Sequence, residues 1–253
     1  MITLFFTDID GCLSEPYQPF DLEGFAQLRA WAARAEAEPT WPRIGVCSGR
    51  SYAYAEAIAQ ALDLKAPVLF ESGGGWFDLP SARIRWNPAL TPAVEHELNA
   101  VRAFCLASIF PQDERFSLDY GKRAQAGIVH PIPYVVEQVL PVVREFVTAQ
   151  FPDLHVYHTP VSIDVVPSAL TKRRALEWVA EASGLTLRNL AFIGDTTGDV
   201  EAIEGVGLGF APKNAEDVAR EAADLVTDGA TLRGVLEAYR RCVQHNEQQA
   251  ATS

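Results

Sequence analysis

Short apolar runs alternate with longer amphipathic ones along the first part of the chain. Ile2–Phe6 is β-branched and aromatic, the composition of a buried strand. Between Asp21 and Ala37, Leu22, Phe25, Leu28 and Ala32 recur at helical spacing, with Asp21 placed as N-cap. Ile44–Cys47 reads as a second buried strand, the Ala-rich Tyr52–Leu62 as a helix and Val68–Phe70 as a third strand. This strand–helix alternation predicts a parallel sheet with crossover helices. The same order returns near the end. Thr171–Ser183 is a helix stopped by Gly184, and Leu190–Ile193 is a strand. A short helix at Val200–Ile203, a strand at Val206–Phe210 and a helix at Asn214–Ala223 follow. A short strand at Leu225–Val226 precedes a last helix from Thr231 to Gln244, with fraying expected after Asn246.

The middle of the chain has a different pattern. Ser81–Trp86 alternates and pairs with Trp76–Phe77 as a hairpin, and Thr91–Pro92 opens a helix running to about Leu106. Gln125–His130 reads as a strand, and Tyr134–Gln150 as a helix that Pro141 should kink or divide. Leu154–His158 and Ser162–Val166 alternate like a second hairpin. Strands and helices mix here without βαβ order, so the simplest architecture is an α/β, Rossmann-like parallel-sheet core carrying an inserted α+β domain.

Composition narrows the function. The 253 residues hold 21 Lys and Arg against 33 Asp and Glu, a formal net charge of −12, with 48% hydrophobic residues. A chain of this make-up buries a real core. Its acidity argues against nucleic-acid polymers and anionic membrane surfaces as partners, but not against a small anionic substrate in a locally positive pocket. The four cysteines, Cys12, Cys47, Cys105 and Cys242, are widely separated without a CxxC, which predicts free thiols in a reducing cytoplasm. His155 and His158 read as strand and turn residues. No apolar run approaches the roughly 20 residues of a membrane span, and Ile2–Phe6 is too short for a signal sequence.

The candidate chemistry lies at strand ends. The first strand leads into Thr7-Asp8-Ile9-Asp10-Gly11, where Asp8 and Asp10 direct two carboxylates to the carboxyl edge of the sheet and Gly11 lets the chain turn. Alone, an Asp-x-Asp turn is more often a solvated loop. A second acidic group, Gly194-Asp195-Thr196-Thr197-Gly198-Asp199, follows the strand Leu190–Ile193. It can be read as acids capping the next helix. Taken with Asp8 and Asp10, it makes four carboxylates that repel one another unless a cation joins them, and hard oxygen donors suit Mg²⁺. Ser48-Gly49-Arg50 follows the second core strand, where a hydroxyl and amides can hold a phosphate at a helix start. Lys172 opens the helix after the insert, where an ammonium can hold a carboxylate and a phosphate together.

In this order, Asp8–Gly11, Ser48–Arg50, Lys172 and Gly194–Asp199 resemble the four motifs of the haloacid dehalogenase-like phosphatases, and the resemblance covers nearly the whole chain. It implies a catalytic core at residues 1–85 and 166–253, with a substrate-selecting type IIB cap at 86–165. Ile163–Pro167, Lys172 and Ala175–Leu176 resemble the cap exit of sugar-phosphate and sucrose-phosphate phosphatases and of phosphomannomutases. Cys12 stands where Thr is usual, Ser72 (in Glu71-Ser72-Gly73-Gly74) where Asn is usual, and Gly198 where Asn often precedes the last acid.

The resemblance further implies a Mg²⁺-dependent phosphatase acting through an aspartyl-phosphate. Asp8 is the nucleophile and Asp10 the acid and base. Ser48 and Lys172 hold the phosphoryl group, and Asp8, Asp10, Asp195 and Asp199 form the metal site, Asp199 directly or through water. Gly49 and Arg50 are expected at the substrate, with Arg50 alternatively paired to Glu71. Lys122 and Arg123, the densest positive spot of the insert, either close over a sugar or carboxylate or form a solvated turn. Asn214 is expected as a helix N-cap near the site. The substrate class is a small sugar phosphate or phosphorylated hydroxy acid. A sugar phosphomutase and a non-catalytic phosphosugar-binding module are the alternatives. The few scattered arginines of the insert, Arg102, Arg115, Arg123 and Arg144, favour hydrolysis over mutation. Oligomeric state is left open.

Overall fold

The structure is a computed structural model that describes residues 1–252. The chain divides into two compact units, Met1–Arg85 with Thr171–Ser253, and Trp86–Leu170.

The first unit is built on an eight-stranded sheet. Its strands are β1 (Leu4–Thr7), β2 (Arg43–Cys47), β3 (Val68–Phe70), β4 (Gly75–Asp78), β5 (Arg83–Trp86), β10 (Leu190–Ile193), β11 (Leu208–Ala211) and β12 (Leu225–Val226). They lie in the order β12-β11-β10-β1-β2-β3-β4-β5. The six strands from β12 to β3 run parallel, and β4 turns back antiparallel to β3. This is the α/β sheet that the apolar runs predict. Its central strands are buried on both faces, which is why β1 and β10 read as unbroken apolar runs.

On one face, Leu4, Phe6, Leu190 and Phe192 pack against α5 (Lys172–Ala182), α6 (Val200–Gly205) and α7 (Asp217–Ala222). On the other, Phe5 meets Tyr239 of α8 (Thr231–Thr252) edge to face, with centroids 5.4 Å apart. Trp31 of α1 (Leu22–Ala35) stacks on the same tyrosine at 5.5 Å, and α2 (Tyr52–Leu62) lies beside α1. Asp21 caps α1 by accepting from Gly24 N at 3.0 Å, as the spacing predicts.

Two expectations fail here for local reasons. The terminal helix does not fray after Asn246 but runs to Thr252. Asn246 is fully buried and bonds both main-chain groups of Ile2 at 2.7 Å, and its amide also reaches Thr40 O at 3.0 Å. This side chain completes the ladder of the strand that leads to Asp8. The helix expected from Asn214 begins only at Asp217, because Asn214 is drawn into the loops described below.

The second unit has an antiparallel sheet in the order β6 (Ser117–Leu118), β7 (Ala126–Val129), β9 (Ser162–Pro167), β8 (Leu154–Thr159). Helices α3 (Pro92–Phe104) and α4 (Pro133–Gln150) cover it through Leu98, Val101, Val136, Val139, Leu140, Val143 and Val147. Pro141 does not divide α4, which runs unbroken from Pro133 to Gln150. It sits on the exposed side, where water can satisfy the carbonyl that loses its N–H partner, while the apolar stripe on the other side holds the helix in register. The boundary expected between Val165 and Val166 falls inside β9. The chain stays with this unit through Leu170, because Val166 and Leu170 pack with Trp86, Ala89, Leu90 and Ala124. Among the described residues, no helix is long and apolar enough to cross a membrane.

Replacing Asn246 with Ala should destabilise the first unit by roughly 2–4 kcal/mol, because it leaves buried main-chain groups of Ile2 without partners. Urea unfolding of the variant against the parent protein measures this. An unchanged midpoint would show that the β1 terminus is held by other means.

Candidate active site

Three neighbouring parallel strands, β10, β1 and β2, end at the same edge of the sheet. The ladder continues one residue past each end. Asp8 N donates to Ile193 O at 3.0 Å, Ser48 N to Leu69 O at 3.0 Å and Gly194 N to Phe210 O at 3.3 Å. Asp8, Ser48 and Asp195 therefore emerge together. After Asp8 the chain closes a tight loop in which Leu13 N and Ser14 N both reach Ile9 O, at 2.8 and 3.0 Å. Gly11 makes that loop possible. Its φ is +70°, and a Cβ there would stand 1.9 Å from Asp195 Oδ2.

The loops bring Asp8, Asp195 and Asp199 close enough that one oxygen from each lies within 4.8 Å of the others. Lys172, the first residue of α5, reaches in between two of them. Its Nζ is 2.6 Å from Asp8 Oδ2 and 2.5 Å from Asp199 Oδ1. All three groups of this bridge are buried. The second Asp8 oxygen accepts from Ile9 N at 2.6 Å. Asp199 caps its own turn as well, because Oδ2 accepts from Asp195 N, Thr196 N and Thr196 Oγ1 at 3.1, 3.0 and 3.0 Å. Asp199 thus closes the short turn Thr197–Asp199 while it stands in the acidic cluster, and its side chain makes no cap bond to the helix that follows. Gly194 is required beside it, since a Cβ there would stand 2.4 Å from Asp199 Cγ.

Burial sets the electrostatics. It pushes the Asp195 carboxyl up to about 8, with the charges of Asp8 and Asp199 adding to the shift and Lys172 opposing it. Burial likewise raises Asp8 to about 6, against the pull of Lys172. Burial alone would lower the Lys172 ammonium, but the attraction of Asp199 and Asp8 outweighs it and holds Lys172 well above its usual range. Convergent carboxylates that cannot all ionise without help, with hard oxygen donors and a partly exposed Asp195, fit a divalent cation.

Asp10 and Ser48 sit beside this cluster. Arg50 binds Asp10 with both arms of its guanidinium, Nε to Oδ2 and Nη2 to Oδ1, each at 2.6 Å. The expected side-chain pairing of Arg50 with Glu71 is thus replaced. The main chains of those residues meet as Glu71 N donates to Arg50 O at 2.9 Å. Ser48 Oγ accepts from Arg50 N at 3.3 Å, and a Cβ on Gly49 would stand 3.4 Å from Ser72 Oγ. Cys12 is buried, with Sγ 3.7 Å from Ile193 O and 3.9 Å from Asp195 Oδ1.

In the second unit Lys122 pairs with Asp164 at 2.6 Å and with Asp119 at 3.6 Å. Arg123 pairs with Glu95 and lies over the Trp86 ring at 4.7 Å. Their charges are matched within that unit, so the expected positive spot is locally neutralised.

Asn214 is not a helix cap. Its Nδ2 donates to Gly11 O at 2.9 Å, and its Oδ1 accepts from Thr231 N at 2.8 Å, tying the loop after Asp8 to the start of α8. Sequence reasoning missed Glu216, whose carboxylate accepts from Thr197 N and Oγ1 at 2.9 and 2.8 Å. It also missed Tyr17 and Tyr54, whose rings flank Arg50 at 5.6 and 4.7 Å. Only Tyr54 leaves a signal, four residues after Arg50 at a helix start. Tyr17 comes from a separate loop.

Comparison with known proteins agrees with this geometry. The family model of the haloacid dehalogenase-like hydrolases matches residues 137–238, a stretch that holds Lys172, Asp195 and Asp199. A phosphoglycolate phosphatase of Natronomonas pharaonis is 28% identical over 95% of this chain and 98% of its own. The solved Thermoplasma acidophilum protein 0175 shares the fold, with a TM-score of 0.73 at 18% identity over 96% of this chain and 98% of its own. So does the sucrose-phosphatase of Synechocystis sp. PCC6803, with a TM-score of 0.67 at 14% identity over 96% of this chain and 98% of its own. A parallel sheet whose central strands end in buried carboxylates bridged by a lysine agrees with the family match, and over residues 137–238 the chain is similar to the haloacid dehalogenase-like hydrolases. Curated relatives that match along nearly the whole chain are phosphatases.

The raised carboxyls predict a pH signature. In metal-free protein the folded state holds protons on Asp8 and Asp195 that the unfolded chain has released, so stability should fall as pH rises from about 4 through 6 to 8. A divalent cation needs the ionised forms, so its stabilising effect should grow over the same window. Melting of chelator-treated and metal-loaded protein between pH 5 and 8.5 tests this. A metal-induced shift that does not depend on pH would contradict the assignment.

Proposed function

We propose that this phosphatase hydrolyses a small phosphate monoester through a phosphoryl group carried on Asp8. The observation that carries the reading is the buried Lys172 bridge between Asp8 and Asp199, inside a carboxylate cluster at the sheet edge. An ammonium there keeps Asp8 available as a carboxylate nucleophile and offers its remaining donor to a phosphoryl oxygen.

An Asp8 oxygen attacks phosphorus and the ester P–O bond breaks. Asp10 gives its proton to the departing alkoxide. Asp10, now a carboxylate, takes a proton from water. That water attacks the phosphorus of the acyl phosphate, releasing inorganic phosphate and restoring Asp8. Ser48 and Lys172 hold the equatorial oxygens. Asp8, Asp195 and the main-chain carbonyl of Asp10 would hold Mg²⁺, with Asp199 contributing directly or through water, while the Asp199 carboxylate orients Lys172. When bound, Mg²⁺ supplies positive charge that offsets the charge of the transferring group.

The curated relatives that match along nearly their whole length are phosphoglycolate phosphatases, which supports a phosphorylated hydroxy acid of that size as the substrate. The arginines of the inserted unit support hydrolysis over a mutase. Arg102 binds the carbonyls of Lys122, Arg123 and Gln125, Arg115 pairs with Asp113, and Arg123 pairs with Glu95. Few cations are left to clamp the second phosphate of a bisphosphate. The inserted unit, where type IIB proteins carry a cap, selects the substrate in this reading. The four buried free cysteines suit a reducing cytoplasm.

Asp8→Asn should reduce phosphate release from 2-phosphoglycolate at least about a thousandfold, and Asp10→Asn about a hundredfold or more. EDTA should abolish release and Mg²⁺ restore it. Both are read by inorganic-phosphate assay across phosphoglycolate, sugar phosphates and nucleotides. Undiminished turnover by Asp8→Asn rules out the nucleophile. An isomeric phosphate ester in place of free phosphate favours the mutase.

A further inference from the structure

We propose that Arg50 is the positioning residue of the acid–base group Asp10, and that Tyr17 and Tyr54 hold Arg50 in that role. The inference rests on the hydrolytic reading above and adds a control on leaving-group protonation.

The guanidinium takes both oxygens of Asp10 in a fork, each contact 2.6 Å long. A two-point contact fixes the carboxylate plane as well as its position, which a point charge cannot do. Asp10 stands on the tight loop after Asp8, and its side chain is 32% exposed. It lies outside the Lys172 bridge, so Arg50 is what orients it. Arg50 is in turn held from both sides. Tyr54, four residues on in the first turn of α2, places its ring 4.7 Å from the guanidinium, and Tyr17 lies at 5.6 Å. Tyr17 is a non-glycine residue at φ 60° with 73% of its surface exposed. Neither burial nor backbone preference explains an exposed aromatic in a left-handed conformation, whereas contact with Arg50 does. Tyr17 comes from the loop after β1 and Tyr54 from the start of α2, which follows the Ser48 loop, so the clamp joins the loop of the nucleophile to that of Ser48.

The pair is partly exposed, with Arg50 at 25%, so it contributes little to stability and its loss should not unfold the protein. The chemistry supplies the discriminating test. Protonation matters for an alkoxide, which is a poor leaving group, and little for a nitrophenolate, which departs without it. Arg50→Lys and Tyr54→Leu should therefore lower kcat/KM for 2-phosphoglycolate by about tenfold or more. For p-nitrophenyl phosphate the loss should stay within about threefold. Tyr54→Phe, which keeps the ring, should behave like the parent protein, and melting temperatures should match throughout. Equal losses on both substrates, or a rise in KM alone on both, would make Arg50 a phosphate-binding or structural residue and overturn the proposal. Absence of Asp8-dependent phosphate release from either substrate would instead overturn the hydrolytic reading beneath it.

Discussion

Three carboxylates, from Asp8, Asp195 and Asp199, converge where water screens them poorly, and the rest of the first unit is organised around that repulsion. Lys172 answers it in part by joining two of the three. In the proposed function that excess negative charge would draw in a divalent cation, and this would let a chain with a net charge of −12 serve an anionic substrate. Charge is focused at one edge of the sheet, and its local meaning changes once a cation is bound.

Holding like charges together needs a stiff frame, and the main chain supplies it. The β1 ladder continues into Asp8, and the buried Asn246 secures the other end of that strand. Gly11 and Gly194 leave out the Cβ atoms that would push Asp195 and Asp199 out of place. Asn214 and Glu216 then tie the two acidic loops to the chain that follows, one through Gly11 O and the other through Thr197. The catalytic acids therefore rest on strand ends and on hydrogen-bonded loops, a support that gives precision to a site whose chemistry is short-ranged.

The inserted unit answers a different requirement. It has its own sheet, its own two covering helices and its own core, and its cations are balanced internally. Its role in the proposed function is recognition by shape and by the few polar groups not committed to its own fold. Arg102, Arg115 and Arg123 are engaged within the unit, which in the proposed function favours release of phosphate.

Much of this was legible in the chain itself. Unbroken apolar runs such as Ile2–Phe6 announce central parallel strands, because only those are buried on both faces. Acids placed directly after such runs announce a site, because register carries them to one edge. Lys172 was legible in the same way, as a cation at a helix start. Three features were not. Asn214 and Asn246 read as a cap and a fraying tail, because nothing local reveals a partner some 200 residues away, at Gly11 and Ile2. Arg50 had two carboxylates to choose from, and loop geometry alone gave it to Asp10. Tyr17 carries no periodic signal. Local pattern and strand register thus determine which residues reach the edge of the sheet. Which of them pair there is decided by tertiary structure, because hydrogen bonds and ion pairs act over about 3 Å and depend on how separate loops converge.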